Sequence, residues 1–121
     1  QISAFLARVI GVEGLRLGGI AYEKVRRHDG VQAAHVYGAF EAILLAVCYQ
    51  LGIEPDTVEV ADLKLVATGK GGGRQATKDH VLVAAKHRWP GFDGDGRGAE
   101  DAADAMFCAD IMRRRVLGVR F

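Results

Sequence analysis

Little in this chain marks a specialised environment. Its 121 residues include only two cysteines, two prolines and one tryptophan, and the formal charges nearly cancel at +1. Cys48 and Cys108 fall in apolar helical stretches, with no Cys-x-x-Cys pair and no histidine at ligand spacing. That pattern points away from a disulfide framework, and both read as buried, reduced thiols of a cytosolic protein. The four histidines form no His-Glu-x-x-His or other paired metal motif. No apolar run is long. The longest, around Ala42–Val47, falls far short of a bilayer and the first residues lack a signal-peptide pattern, so no membrane partner is expected. Neither an internal repeat nor a low-complexity tract occurs. The chain opens on Gln1 rather than Met, so further residues ahead of it are expected.

What is present is ordinary soluble composition, 50% hydrophobic and 26% charged, in a chain long enough for one domain with a real core. The charge is unevenly spread. Lys64, Lys70, Arg74 and Lys78 occur in a stretch without a single acid, whereas residues 93–104 hold five acids against Arg97 alone. A basic segment beside an acidic one suits a metal-dependent enzyme acting on a polyanion, because metals need carboxylates and phosphates need cations. Solvated loops carry such runs as well.

Hydrophobic spacing predicts alternating helices and short strands, hence an α/β domain around a small sheet. Phe5, Leu6, Val9 and Ile10 recur at helical spacing between Ser3 and Leu15. Ile20–Val25 reads as a strand carrying Glu23. Asp29 as N-cap, with Gln32 in the capping-box position, opens the strongest helix, which runs to Leu51 and stops at Gly52. Its second half is apolar on every face, which predicts central burial. Val58–Asp62 alternates as a strand, and Thr68–Gly73 is a loop with four glycines in six residues. A helix is expected from about Thr77 to Arg88, stopped by Trp89-Pro90. Another runs from about Ala99 to Val116 with Met106, Phe107, Ile111 and Met112 inward, and Arg113, Arg114 and Arg115 offset its dipole.

The glycine-rich loop fits neither a P-loop nor a dinucleotide fingerprint. Its glycines would still let the backbone approach a phosphate, with Lys70, Arg74 and Lys78 supplying charge. Asp93-Gly94-Asp95-Gly96-Arg97 lacks the third oxygen ligand and the closing glutamate of a Ca²⁺ loop. In Asp101-Ala102-Ala103-Asp104 the two carboxylates share one helical face, an arrangement suited to Mg²⁺ with part of its water shell retained. The same spacing is also common on solvated helix faces. Glu23 is either on an exposed strand face or a ligand at a strand end. Glu41, in an apolar helix, reads as reaching a helix edge or a polar partner.

In order along the chain come the Glu23 strand, the long apolar helix, a second strand, Lys64 with Val66-Ala67-Thr68-Gly69-Lys70-Gly71, a helix-opening Lys78, and Asp101-Ala102-Ala103-Asp104-Ala105. This succession resembles the RuvC family of Holliday-junction resolvases, from about Ile20 to Met112, roughly three quarters of the chain. The resemblance implies a single ribonuclease H-like domain over residues 1–121, with a mixed sheet flanked by helices and incomplete at its N-terminus. It implies a Mg²⁺-dependent endonuclease, with Mn²⁺ an alternative, that holds two ions per site and resolves four-way or other branched DNA. Glu23, Asp101 and Asp104 match the family's metal-binding carboxylates. Lys64 and Lys78 match the basic residues at the cleaved phosphate, with Lys78 in the catalytic set. Lys70 and Arg74 belong to the DNA-contacting loop, which is longer here than in typical bacterial members. A cytoplasmic homodimer is implied by the near two-fold symmetry of a four-way junction.

The family pattern also begins with a strand bearing a metal-binding aspartate. None of the 22 residues before Glu23 is Asp, so the first strands are expected to be missing, and Glu13 and Glu41 are the first substitutes to consider. The alternative functions are another ribonuclease H-like nuclease, cutting RNA hybrids or damaged DNA, and a catalytically inactive nucleic-acid-binding module.

Overall fold

The computed structural model describes residues 19–69 and 78–118, with Lys78 placed by its backbone alone. The helix expected over Ser3–Leu15, Glu13, and the loop residues Lys70 and Arg74 lie outside the described residues. The elements run β1 (Ala21–Lys24), α1 (Val31–Leu51), β2 (Asp56–Glu59), α2 (Val60–Thr68), α3 (Lys78–Arg88) and α4 (Ala99–Leu117). Two strands of four residues cannot fill a layer, and the described residues are mostly helical, 65% of them.

That composition corrects the expected ribonuclease H-like mixed sheet flanked by helices: the described residues form only a two-stranded parallel sheet. Part of the reason lies at Val60. The alternation over Val58–Asp62 predicts a strand, yet β2 ends at Glu59 and a helix begins at once. Leu63, Val66 and Ala67 stand at helical spacing and bring their apolar side chains to one side, where Leu63 is buried and the other two pack against the core. Asp62 in the first turn also favours the helix start. A five-residue alternation is too short to outweigh that burial.

The chain divides into two compact units, residues 1–20 with 25–56, and residues 21–24 with 57–121. The second unit holds the main core. Val58, Leu63, Val81, Ala85, Ala103, Phe107, Cys108 and Ile111 form one buried cluster drawn from β2, α2, α3 and α4. Trp89 and Phe92 close it from outside, and Trp89 meets Phe107 with ring centroids 4.9 Å apart. β1 packs along α4. Arg115 of α4 donates from Nη1 to the Thr57 carbonyl at 2.9 Å, which ties the helix end to β2. α3 ends where sequence reading places it. Pro90 has no N–H to continue the ladder, and Lys86, His87 and Arg88 sit at the negative end of the helix dipole.

In the first unit, α1 has the predicted bounds. Gly52 closes it in the left-handed region at φ 68°, which a side chain would oppose, and its N–H returns to the last turn. The expected Asp29 cap does not form: Gly30 is the N-cap and no side chain bonds there. The expected central burial also fails. Cys48 is the only fully buried residue of α1, while Val36, Phe40 and Ile43 are 50%, 57% and 49% exposed. A helix apolar on all faces states how much surface it could bury, not whether protein covers it. α1 is also long and apolar enough to cross a membrane by length and composition, which a search for unbroken apolar runs does not detect because Gly38, Glu41 and Tyr49 interrupt them.

Candidate functional site

Glu23 occupies the third position of β1, and Asp104 lies in the second turn of α4. β1 packs on α4, and the charges of both residues act on the Cys108 thiol, one helical turn beyond Asp104. Burial pushes that thiol up to about 12, the Glu23 carboxylate adds to the rise, Asp104 adds further, and Arg115 opposes both. Glu23 and Asp104 are half-buried, so their charges are only partly screened by water.

Asp101 stands three residues before Asp104, on the same side of α4, and is more exposed. It borders an open hollow of about 430 Å³ with Gly94, Gly96, Gly98 and Glu100. Glu23, Asp101 and Asp104 each have partners in the folded chain. Among the described residues, no group of three His, Cys, Asp or Glu is set to enclose a metal ion. The donor chemistry still fits a hard cation: Mg²⁺ takes one or two protein carboxylates and fills its remaining positions with water and substrate phosphate. Glu23 and Asp104 are carboxylates of that kind on two packed elements, with Asp101 on the same side of α4 as Asp104.

Of the expected cations, Lys64 lies on α2. Its carbonyl accepts the Thr68 hydroxyl at 2.8 Å, and its side chain is half-buried. Lys78 opens α3, as expected. Lys70 and Arg74 lie outside the described residues. Glu41 belongs to the first unit, where it accepts a hydrogen bond from the Tyr37 hydroxyl at 3.4 Å, while that hydroxyl accepts the Val25 N–H at 3.4 Å. Glu41 thus has the polar partner its sequence context predicts.

One charged cluster escapes sequence reading. Asp110 is buried, its side chain 5% exposed, and it gathers three arginines. Arg113 donates from Nη2 and Nε to its Oδ1 at 2.8 and 3.2 Å, Arg88 of α3 reaches it at 3.6 Å, and Arg114 Nε lies 3.0 Å from Oδ2. Reading Arg113–Arg115 only as dipole compensation overlooks an acid three and four residues before two of them. That spacing is the signal that finds the pairs. Arg88 cannot be anticipated this way, because α3 brings it from elsewhere.

No protein-family model matches the chain, and no curated protein matches it.

Proposed function

We propose that the protein is a Mg²⁺-dependent endonuclease acting on branched DNA, with Glu23 and Asp104 at its centre and Asp101 beside them. The observation that carries this reading is the packing of β1, which bears Glu23, against α4, which bears Asp101 and Asp104, two acid-bearing elements far apart in sequence. Glu23 and Asp104 would hold a divalent cation, which would supply positive charge at the scissile phosphate and lower the pKa of attacking water.

The chain's own residues do the rest. Glu23 and Asp104 hold their carboxylates from two packed elements, so their relative position is fixed before DNA arrives. Lys64 and Lys78 offset phosphate charge as it builds during displacement. In that displacement the water oxygen bonds to phosphorus and the bond to the 3′ oxygen breaks, the leaving oxygen taking up a proton.

A four-way junction has near two-fold symmetry, and α1 offers a surface for a C2 partner. Val36, Phe40, Ile43 and Val47 follow a 4-3-4 spacing, with the first three exposed. That is the pattern of a helix seam. A second copy of this helix covers the stripe in the proposed cytoplasmic homodimer.

Cleavage of a four-way junction by the full-length protein in Mg²⁺ tests the reading. The expected result is metal-dependent nicking that Asp104→Asn abolishes while junction binding persists. Cleavage unchanged by Asp104→Asn overturns it.

A further inference from the structure

The Asp110 cluster carries more positive charge than one buried acid needs. Arg114, 19% exposed, lies 3.0 Å from Oδ2 and is the inward counter-ion. Arg113 and Arg88 meet the other oxygen, Oδ1, at 2.8 and 3.6 Å, and their side chains are 54% and 47% exposed. One cation balances one carboxylate, and each further guanidinium adds repulsion that a second anion relieves. No other acid pairs with these three arginines among the described residues.

The two outward head groups are held in place without being used up. A guanidinium has five N–H donors. Arg113 turns Nε and Nη2 to Oδ1, at 3.2 and 2.8 Å, and its remaining donors have no partner among the described residues. Arg88 makes no hydrogen bond there at all. Its approach to Oδ1 is an ion contact, and its guanidinium lies 5.8 Å from the Trp89 ring centroid. Asp110 and Trp89 thus fix where two planar forks stand, while both side chains stay half in water. Because the two forks approach the same oxygen, one phosphate group can bridge them.

We propose that Arg88 and Arg113 clamp one backbone phosphate of the DNA, away from the position of cleavage. Asp110 stands six residues beyond Asp104, so on an ideal helix it is about 9 Å further along the axis and roughly 120° around it. A phosphate held at that distance is not the one being cut, so the clamp adds affinity and leaves the chemical step alone. The planar fork of arginine matches a pair of phosphate oxygens, which the point charge of lysine does not. A backbone contact of this kind fixes the position of the DNA and is blind to its sequence. The inference rests on the proposed DNA reading for its ligand, but not on catalysis by Glu23 and Asp104.

The test measures binding of a four-way junction to the full-length protein over a range of salt concentrations, and cleavage separately. Arg88→Gln is the first variant, because Arg88 gives the fold no hydrogen bond. It should weaken binding by about tenfold, the worth of one hydrogen bond to a charged group, and by similar factors for all junction sequences. Arg88→Gln combined with Arg113→Gln should reduce the salt slope by about one, the loss of a single phosphate, whereas Arg88→Lys should keep the slope and recover only part of the affinity. In cleavage, Arg88→Gln should raise KM and leave kcat unchanged. An Arg88→Gln protein that binds the junction as tightly as the wild type overturns the proposal, and so does one that lowers kcat at unchanged KM. A wild type that binds no DNA overturns this inference and the DNA reading together. Binding with the expected losses but without cleavage supports the clamp and overturns the nuclease reading alone.

Discussion

Glu23 and Asp104, on elements far apart in sequence, both raise the pKa of one buried thiol, that of Cys108. The thiol belongs to a helix, α4, that packs directly on the strand bearing Glu23. Its neutral form is therefore favoured by burial and by both carboxylates, and this has a measurable consequence.

Cys108 should make stability fall at high pH. Its thiol titrates near 9 when unfolded and at about 12 when folded, so the native state holds the proton more tightly between those values. The contribution is fully present below about pH 9 and is lost as pH rises toward 12. Denaturant midpoints across this window should decline in the wild type, and Cys108→Ala should remove part of the slope. An identical slope in both proteins would contradict the assignment.

Cys108 should also be slow to alkylate in the native state, because the thiolate is the reactive form and it is suppressed. In Asp104→Asn one of the raising charges is gone, so alkylation should accelerate at a given pH. A rate unaffected by that substitution would show that Asp104 does not act on the thiol.

Ile111 is fully buried in the main cluster. Ile111→Ala should destabilise the protein by about 2–5 kcal/mol, through lost burial and the cavity left behind. Urea unfolding should show a lower midpoint with little change in slope. A shift within about 0.5 kcal/mol, the range of ordinary surface substitutions, would place Ile111 outside the core.

The sequence carries some of this molecule at full strength and some not at all. The stop of α1 follows from Gly52, a local backbone signal, whereas the cap expected at Asp29 is replaced by Gly30. The exposure of α1 does not follow, because Val36, Phe40 and Ile43 look the same in a core as in a seam for another helix. The helical state of Val60–Thr68 was hidden by a short alternation that Leu63, Val66 and Ala67 override through tertiary burial. For the site, Glu23 is visible as an acid in an apolar strand and Asp104 through its spacing from Asp101. The joint effect of Glu23 and Asp104 on Cys108 depends on β1 packing against α4, and the Arg88–Asp110 pair depends on α3 packing against the same helix. No local pattern encodes either contact.

The α1 stripe yields a prediction about assembly. Phe40→Glu should convert a homodimer to monomer in sedimentation experiments while leaving helix content unchanged, since Phe40 is 57% exposed within one chain. If instead the wild-type chain stays soluble only with detergent or lipid, α1 meets a membrane and the dimer surface is wrongly assigned.

Lys64 and Lys78 are assigned to phosphates rather than bases. Replacing either by Ala should weaken binding to all junction sequences by similar factors and reduce the salt slope by about one. Altered sequence preference with unchanged overall affinity would contradict the assignment.

The central claim is that Glu23 and Asp104 share a divalent cation, and Mn²⁺ as a paramagnetic probe tests it most directly. Trace Mn²⁺ added to the labelled protein should first broaden the amide signals of residues 22–24 and 101–108. Mg²⁺ should reverse the broadening, and either Glu23→Gln or Asp104→Asn should abolish it. Broadening centred on Asp93 and Asp95, or broadening that survives both substitutions, would contradict the account.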